Sequence, residues 1–154
     1  MPPAAPSRLV VDISAEGIRL PVSRERVRDA AERTLRAGKV RDALVSITFV
    51  TDRRMAALNR EHLGHAGATD VISFGFAPTA AGSGLVGDIY ICPARARENA
   101  KAHGAPVREE LLRLVIHGTL PVMGHEHPET SAEARYASPM WKRQERILRS
   151  LGAA

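Results

Sequence analysis

Residues 107–128 read VREELLRLVIHGTLPVMGHEHP. Leu111, Leu112, Leu114 and Val115 make a broad apolar face at helical spacing, which predicts a helix opened by Pro106 and running through His117 to about Gly124. A helix this apolar belongs in the interior, so the histidine helix is expected at the centre of the fold. The same stretch holds His117, His125 and His127, three of the chain's six histidines. An apolar helix ending in His, followed past a glycine by a second His beside an acid, is how a helix and its following turn deliver ligands to a transition metal. Helical residues four apart share a face, so the next ligand after His117 is expected at position 121, and that residue is Pro121. His117 and His127 are therefore the metal-ligand candidates. An open coordination position marks a catalytic site, because a bound ion can bring the pKa of water down to about 7.

Upstream of this helix, residues 9–13 are short, β-branched and bounded by turn formers, which predicts a strand. Ser23 then caps a helix to about Ala37, with Val27, Ala30, Ala31, Thr34 and Leu35 on one face and Gly38 as its stop. Residues 44–50 alternate like a strand, and Thr51 caps a short helix carrying Met55 and Leu58. A loop at 64–68 leads to a strand at 70–74, a flexible APTAAGSG connection, and a fourth strand at 86–92. Pro93 opens a helix to about His103, and a last helix from about Ser138 to Leu151 places Met140, Trp141, Ile147, Leu148 and Leu151 largely on one side. The order β-α-β-α-β-β-α-α-α predicts a single α+β domain over residues 8–152, with a four-stranded mixed sheet packed against about five helices and residues 1–7 disordered.

The chain has 154 residues, enough for one core without cross-links, and its single cysteine, Cys92, excludes an intramolecular disulfide framework. Cys92 ends the apolar run from Ile89 and reads as a small buried hydrophobe. The N-terminus lacks a charged-then-apolar leader pattern, and no apolar run approaches the ~20 residues that span a bilayer, so a cytoplasmic protein without a membrane role is expected. A net charge of +5 favours a polyanionic partner.

The spacing of positions 117, 121 and 127 is that of the metzincin peptidase motif HEXXHXXGXXH, whose Glu is the general base. Gly118 stands in place of that Glu, which disfavours peptide hydrolysis, and Glu126 is left as a candidate acid or base.

The stretch resembles more fully the signature of the YbeY family of endoribonucleases, HGxLHLxGxDH, at His117, Gly118, Leu120, Val122, Gly124, Glu126 and His127. Leu58-Asn59 with 69–74 (TDVISF) is similar to the family's LN…TDVLSF block, and 87–92 (GDIYIC) to its GDI-x-I-C strand. Met140 with 145–148 (ERIL) and Leu151-Gly152 resembles its C-terminal helix, so the likeness runs collinearly over residues 44–152. The resemblance implies a cytoplasmic, single-strand-specific, metal-dependent endoribonuclease acting in ribosomal RNA maturation and ribosome quality control. It implies one zinc ion, with single-stranded or ribosomal RNA and the ribosome or its proteins as partners. Arg95, Arg97 and Lys101 are candidates to guide the RNA backbone.

Two departures stand out. The family's middle ligand falls on Pro121, which leaves His125, His62, His65, Glu126 or water as the third ligand. The family's Tyr-Arg pair falls on His62-Leu63, and the Asp and Pro ahead of its Thr-Asp fall on Ala66 and Ala68. Arg60, three residues before Leu63, is the nearest arginine on the same helical face. A catalytically impaired RNA- or ribosome-binding module is the alternative reading.

Overall fold

A computed structural model describes residues 8–76, 84–124 and 139–152. Four strands, β1 (Arg8–Ala15), β2 (Asp42–Phe49), β3 (Val71–Phe76) and β4 (Leu85–Ile91), form one sheet in the order β1-β2-β4-β3. The pairs β1–β2 and β2–β4 are parallel, while β3 runs antiparallel to β4 at the edge. Among the described residues five helices surround it: α1 (Arg24–Ala37), α2 (Asp52–Leu63), α3 (Pro93–His103), α4 (Val107–Val122) and α5 (Pro139–Ser150). The α+β architecture and element order are those expected from the sequence. The predicted disordered segment, residues 1–7, lies outside the described residues.

Local chemistry sets the boundaries. Ser23 accepts a hydrogen bond from the Arg26 backbone N–H, and Thr51 accepts one from that of Arg54, each 3.2 Å long, so both predicted caps satisfy an otherwise orphaned donor. Gly64 and Gly104 close α2 and α3 in the left-handed conformation, at φ 69° and 63°. The buried face of α1 is Val27, Ala30, Ala31, Thr34 and Leu35, as its 3.6-residue period predicts.

The sheet is covered unequally. Val11, Val45, Ile47, Phe49, Ile89 and Ile91 point to one face and share a core with α1, α4 and α5. On the other face, Met55 and Leu58 of α2 pack with Ile72 and Cys92 over the β3–β4 end. Helix α4 packs on α1, α3, α5, β3 and β4, so the histidine helix is central, as expected. Its Leu111, Leu112, Val115, Ile116 and Leu120 are fully buried, each worth about 1.5–3 kcal/mol relative to an exposed position.

The C-terminal half of α4 lies unusually close to the sheet because three glycines let it. Gly75 and Gly87 face each other across β3 and β4. A methyl on Gly87 would lie 2.4 Å from Val122 Cγ1, and one on Gly75 would lie 3.3 Å from the Val122 backbone. A methyl on Gly118 would come within 2.8 Å of both Ile89 Cγ2 and Val71 Cγ2. The paired glycines form a dent that seats Val122, and Gly118 lets the helix backbone rest on the strands.

Gly87→Ala is expected to overpack this seat and lower stability by about 1–3 kcal/mol, because the branched Val122 side chain has few rotamers into which to retreat. Urea unfolding would register the loss as a lower midpoint at unchanged slope, with Val122→Ala in the same chain restoring part of it.

Candidate active site

His117 sits in the penultimate turn of α4, half-buried, between Arg113 one turn before and Pro121 one turn after on the same side. Its Nδ1 lies 2.7 Å from Oε1 of Gln144, a residue of α5 with no solvent exposure. The Gln144 amide donates from Nε2 to Glu145 Oε2 over 3.1 Å. Both Glu145 oxygens accept from Arg113, with Nε to Oε2 at 3.1 Å and Nη2 to Oε1 at 3.2 Å, and Arg113 Nη1 also donates to Glu110. Burial works against the Arg113 guanidinium, but hydrogen bonding and charge from Glu145, then from Glu110, outweigh it and hold the group above its ordinary range. One continuous polar chain thus runs from Glu110 to the imidazole across the α4–α5 interface.

Behind the ring, Ser73 Oγ of β3 donates to the Gly118 carbonyl over 2.7 Å and ties the helix to the edge strand. With Val71 and Ile89 against it, position 118 has no room for the carboxylate that a metzincin carries there. The metallopeptidase reading loses its base for a packing reason.

Pro121 is exposed, and α4 continues through it to Val122 before ending on Met123, two residues short of the predicted Gly124. The last turn tightens instead: the Met123 and Gly124 amides bond to the carbonyls of Leu120 and Pro121, each 3.0 Å long. A proline lacks only one helical hydrogen bond, the one to the His117 carbonyl, and the burial of Leu120 and Val122 on either side keeps the segment helical.

The other residues singled out in the sequence separate into distinct places. His127, with His125 and Glu126, lies outside the described residues. His62 meets Phe74 edge-on, with ring centroids 5.2 Å apart, while His65 is exposed in the loop beyond α2. Among the described residues, no three His, Cys, Asp or Glu side chains come together as a metal group, so His62, His65 and His117 do not form one by themselves. The described part of the site therefore fits a metal through one imidazole alone. Arg60 and Leu63 are exposed on α2, and Lys101 is exposed on α3. Arg95 is engaged with Asp52 at 3.4 Å and Glu98 at 3.0 Å, so it is no unencumbered phosphate contact. Exposed Arg97 lines a cavity of about 280 Å³ with Arg19, Thr51 and Asp52.

Several residues in and around the resembling blocks are fasteners. Asn59 donates to the Gly67 carbonyl over 2.9 Å, Asn99 donates to Asp70 Oδ2 over 3.1 Å, and the Cys92 amide bonds to the Asp70 carbonyl over 2.9 Å. Together they pin the loop between α2 and β3. Cys92 is fully buried, as expected, and its thiol donates to Asp52 Oδ1 over 3.1 Å. Desolvation first, and then the hydrogen bond and charge of Asp52, push the thiol up to about 11 against the opposing Arg95 and Ala94 amides.

Sequence reasoning missed Gln144 and Arg113. A glutamine on an amphipathic helix reads as surface, and its partner is 27 positions away. The usable signal was its place in the stripe Met140, Gln144, Ile147 and Leu148, where a polar residue interrupts an apolar face.

The fold and site define a single-domain α+β protein built around one buried helix that presents an anchored histidine near its C-terminal end. Residues 12–152 match the family described as Endoribonuclease YbeY. The chain belongs to that endoribonuclease family. It is 35% identical over 118 residues to the Endoribonuclease YbeY of Halalkalibacterium halodurans, covering 70% of this chain and 72% of that protein. It is 30% identical over 132 residues to that of Persephonella marina, covering 84% of each. The solution structure of TM1509 from Thermotoga maritima superposes with a TM-score of 0.60 at 25% identity, covering 92% of this chain and 89% of that one.

Iodoacetamide labelling of native Cys92 near pH 8 is expected to run at least about 100-fold slower than in denaturant. Raising the thiol from 9.0 to about 11 removes about two decades of thiolate, and burial slows the reaction further. Native labelling at the denatured rate would show an exposed, unperturbed thiol.

Proposed function

We propose that this chain is a single-strand-specific, metal-dependent endoribonuclease acting in ribosomal RNA maturation and ribosome quality control, with one zinc ion held by His117 and His127. The observation that carries this reading is the anchorage of His117. A fully buried amide, a carboxylate and an arginine are committed to one half-buried ring, and buried polar groups at a helix interface are costly unless they serve a purpose. When bound, the ion would supply a polarised phosphate oxygen or a water acidified to about pKa 7. His125, His62, His65, Glu126 or water would complete the shell in place of Pro121. The net charge of +5 supports an RNA partner, and the ribosome and the cytoplasm are the setting this reading requires. Among the described residues no helix is long and apolar enough to cross a membrane.

Pro121 favours a second reading, a catalytically impaired RNA- or ribosome-binding module. Elemental analysis separates the two. The enzyme reading expects near one equivalent of zinc and cleavage of single-stranded RNA that chelation abolishes. Metal content near zero with RNA affinity retained would favour the module. Pro121→His is expected to tighten zinc binding by at least about tenfold, about 1.4 kcal/mol, if His117 and His127 already form two corners of the shell. An unchanged affinity would mean that another side chain holds the third corner.

A further inference from the structure

The polar chain behind His117 ends in an amide, and an amide has one donor side and one acceptor side. We infer that Gln144 is a positioning residue that sets the tautomer of His117, holding the proton on Nδ1 so that Nε2 carries the lone pair.

The chain of contacts leaves one consistent arrangement. Arg113 can only donate, and it engages both oxygens of Glu145, so that carboxylate is an acceptor held in place by a two-pronged contact. Glu110, itself buried, accepts from the third guanidinium nitrogen and keeps Arg113 from swinging away. A carboxylate oxygen 3.1 Å from the Gln144 amide requires the NH₂ group on that side. The opposite orientation would set two acceptors against each other inside the α4–α5 interface. With NH₂ on Glu145, Oε1 faces the imidazole at 2.7 Å, and only a protonated Nδ1 can meet it. In the neutral ring the lone pair then falls on Nε2.

Glu110, Arg113 and His117 lie along α4, and Gln144 and Glu145 are adjacent on α5, so the relay depends on the docking of two helices. An acceptor on Nδ1–H is the outer-shell contact that orients a ligand histidine and raises its basicity. The consequence for metal binding rests on His117 being a ligand, as proposed above; the tautomer itself does not.

The test reads the ring directly. In chelator-treated protein at about pH 8, above the ordinary imidazole pKa of ~6.5, a long-range proton–nitrogen correlation spectrum is recorded, with the His117 signals assigned by their loss in His117→Ala. The wild type is expected to show protonated Nδ1 and unprotonated Nε2. Gln144→Glu combined with Glu145→Gln keeps an acceptor toward the ring and a donor–acceptor pair beside it, and should keep Nδ1 protonated. Gln144→Met, similar in size without an acceptor, should shift the population toward Nε2–H, the form that neutral histidine favours in water. Zinc titration of the same folded proteins should show Gln144→Met weakened by about 10–100-fold and the exchanged pair, Gln144→Glu with Glu145→Gln, much less so. A wild-type ring protonated on Nε2 overturns the inference, as does a Gln144→Met ring that keeps the Nδ1 proton. The expected tautomers without zinc binding in any variant would support the inference and defeat the metal reading of His117 alone.

Discussion

The close approach of α4 to β3 and β4 is the constraint on which the rest depends. An ordinary helix-on-sheet contact is spaced by side chains from both partners. Here Gly118 on the helix and Gly75 and Gly87 on the strands remove that spacing, and Val122 drops into the dent between the paired strand glycines. The Ser73 hydroxyl can then reach the Gly118 carbonyl. His117 precedes Gly118, so the backbone that carries the imidazole is fixed to the edge strand on one side. On the other side its ring is fixed to α5. The site is rigid because two unrelated contacts, one steric and one polar, hold adjacent residues.

That polar contact places an ionised group in the core, where the other buried polar side chains among the described residues are the uncharged Thr34, Asn59 and Thr119. Glu110 is 3% exposed and Gln144 fully buried, and either would destabilise the interface alone. Their satisfaction comes from alternation of sign and role along the chain: carboxylate, guanidinium, carboxylate, amide, imidazole. A relay of this kind is cooperative, since each group fixes the orientation of the next. The polar side chains around the site divide accordingly. Asn59, Asp70, Asn99 and Cys92 secure a loop and a strand end, whereas Gln144, Glu145 and Arg113 act on the histidine.

Pro121 shows how position decides what a substitution does. In the middle of α4 it would cost about 3 kcal/mol or more and bend the helix. In the last turn, with Leu120 and Val122 buried beside it, the helix persists to Val122 and the loss is one backbone hydrogen bond. The effect falls on chemistry more than on fold: a position one turn beyond His117 carries a ring without a donor. Scaffold and site can therefore part company in this family member, because what holds α4 in place is independent of what position 121 could ligate.

Periodicity made the elements legible. The buried face of α1, the two side-chain caps at Ser23 and Thr51, the glycine stops and the central apolar helix were all readable, because each is dictated by neighbours within a few residues. The His117-Gly118 pair pointed to the site and to the family for the same reason. Strand order, and the fate of every residue whose partner lies far along the chain, were not readable. That β4 inserts between β2 and β3, that Gly75 and Gly87 become a single seat, and that Gln144 meets His117 rather than water are decided by which surfaces dock. By itself the sequence determined which segments are helices and strands and which histidine ends the buried helix, since hydrophobic period and capping are local. Only the tertiary structure decided how that histidine is held, since a hydrogen bond between two helices exists only once their apolar faces have brought them together.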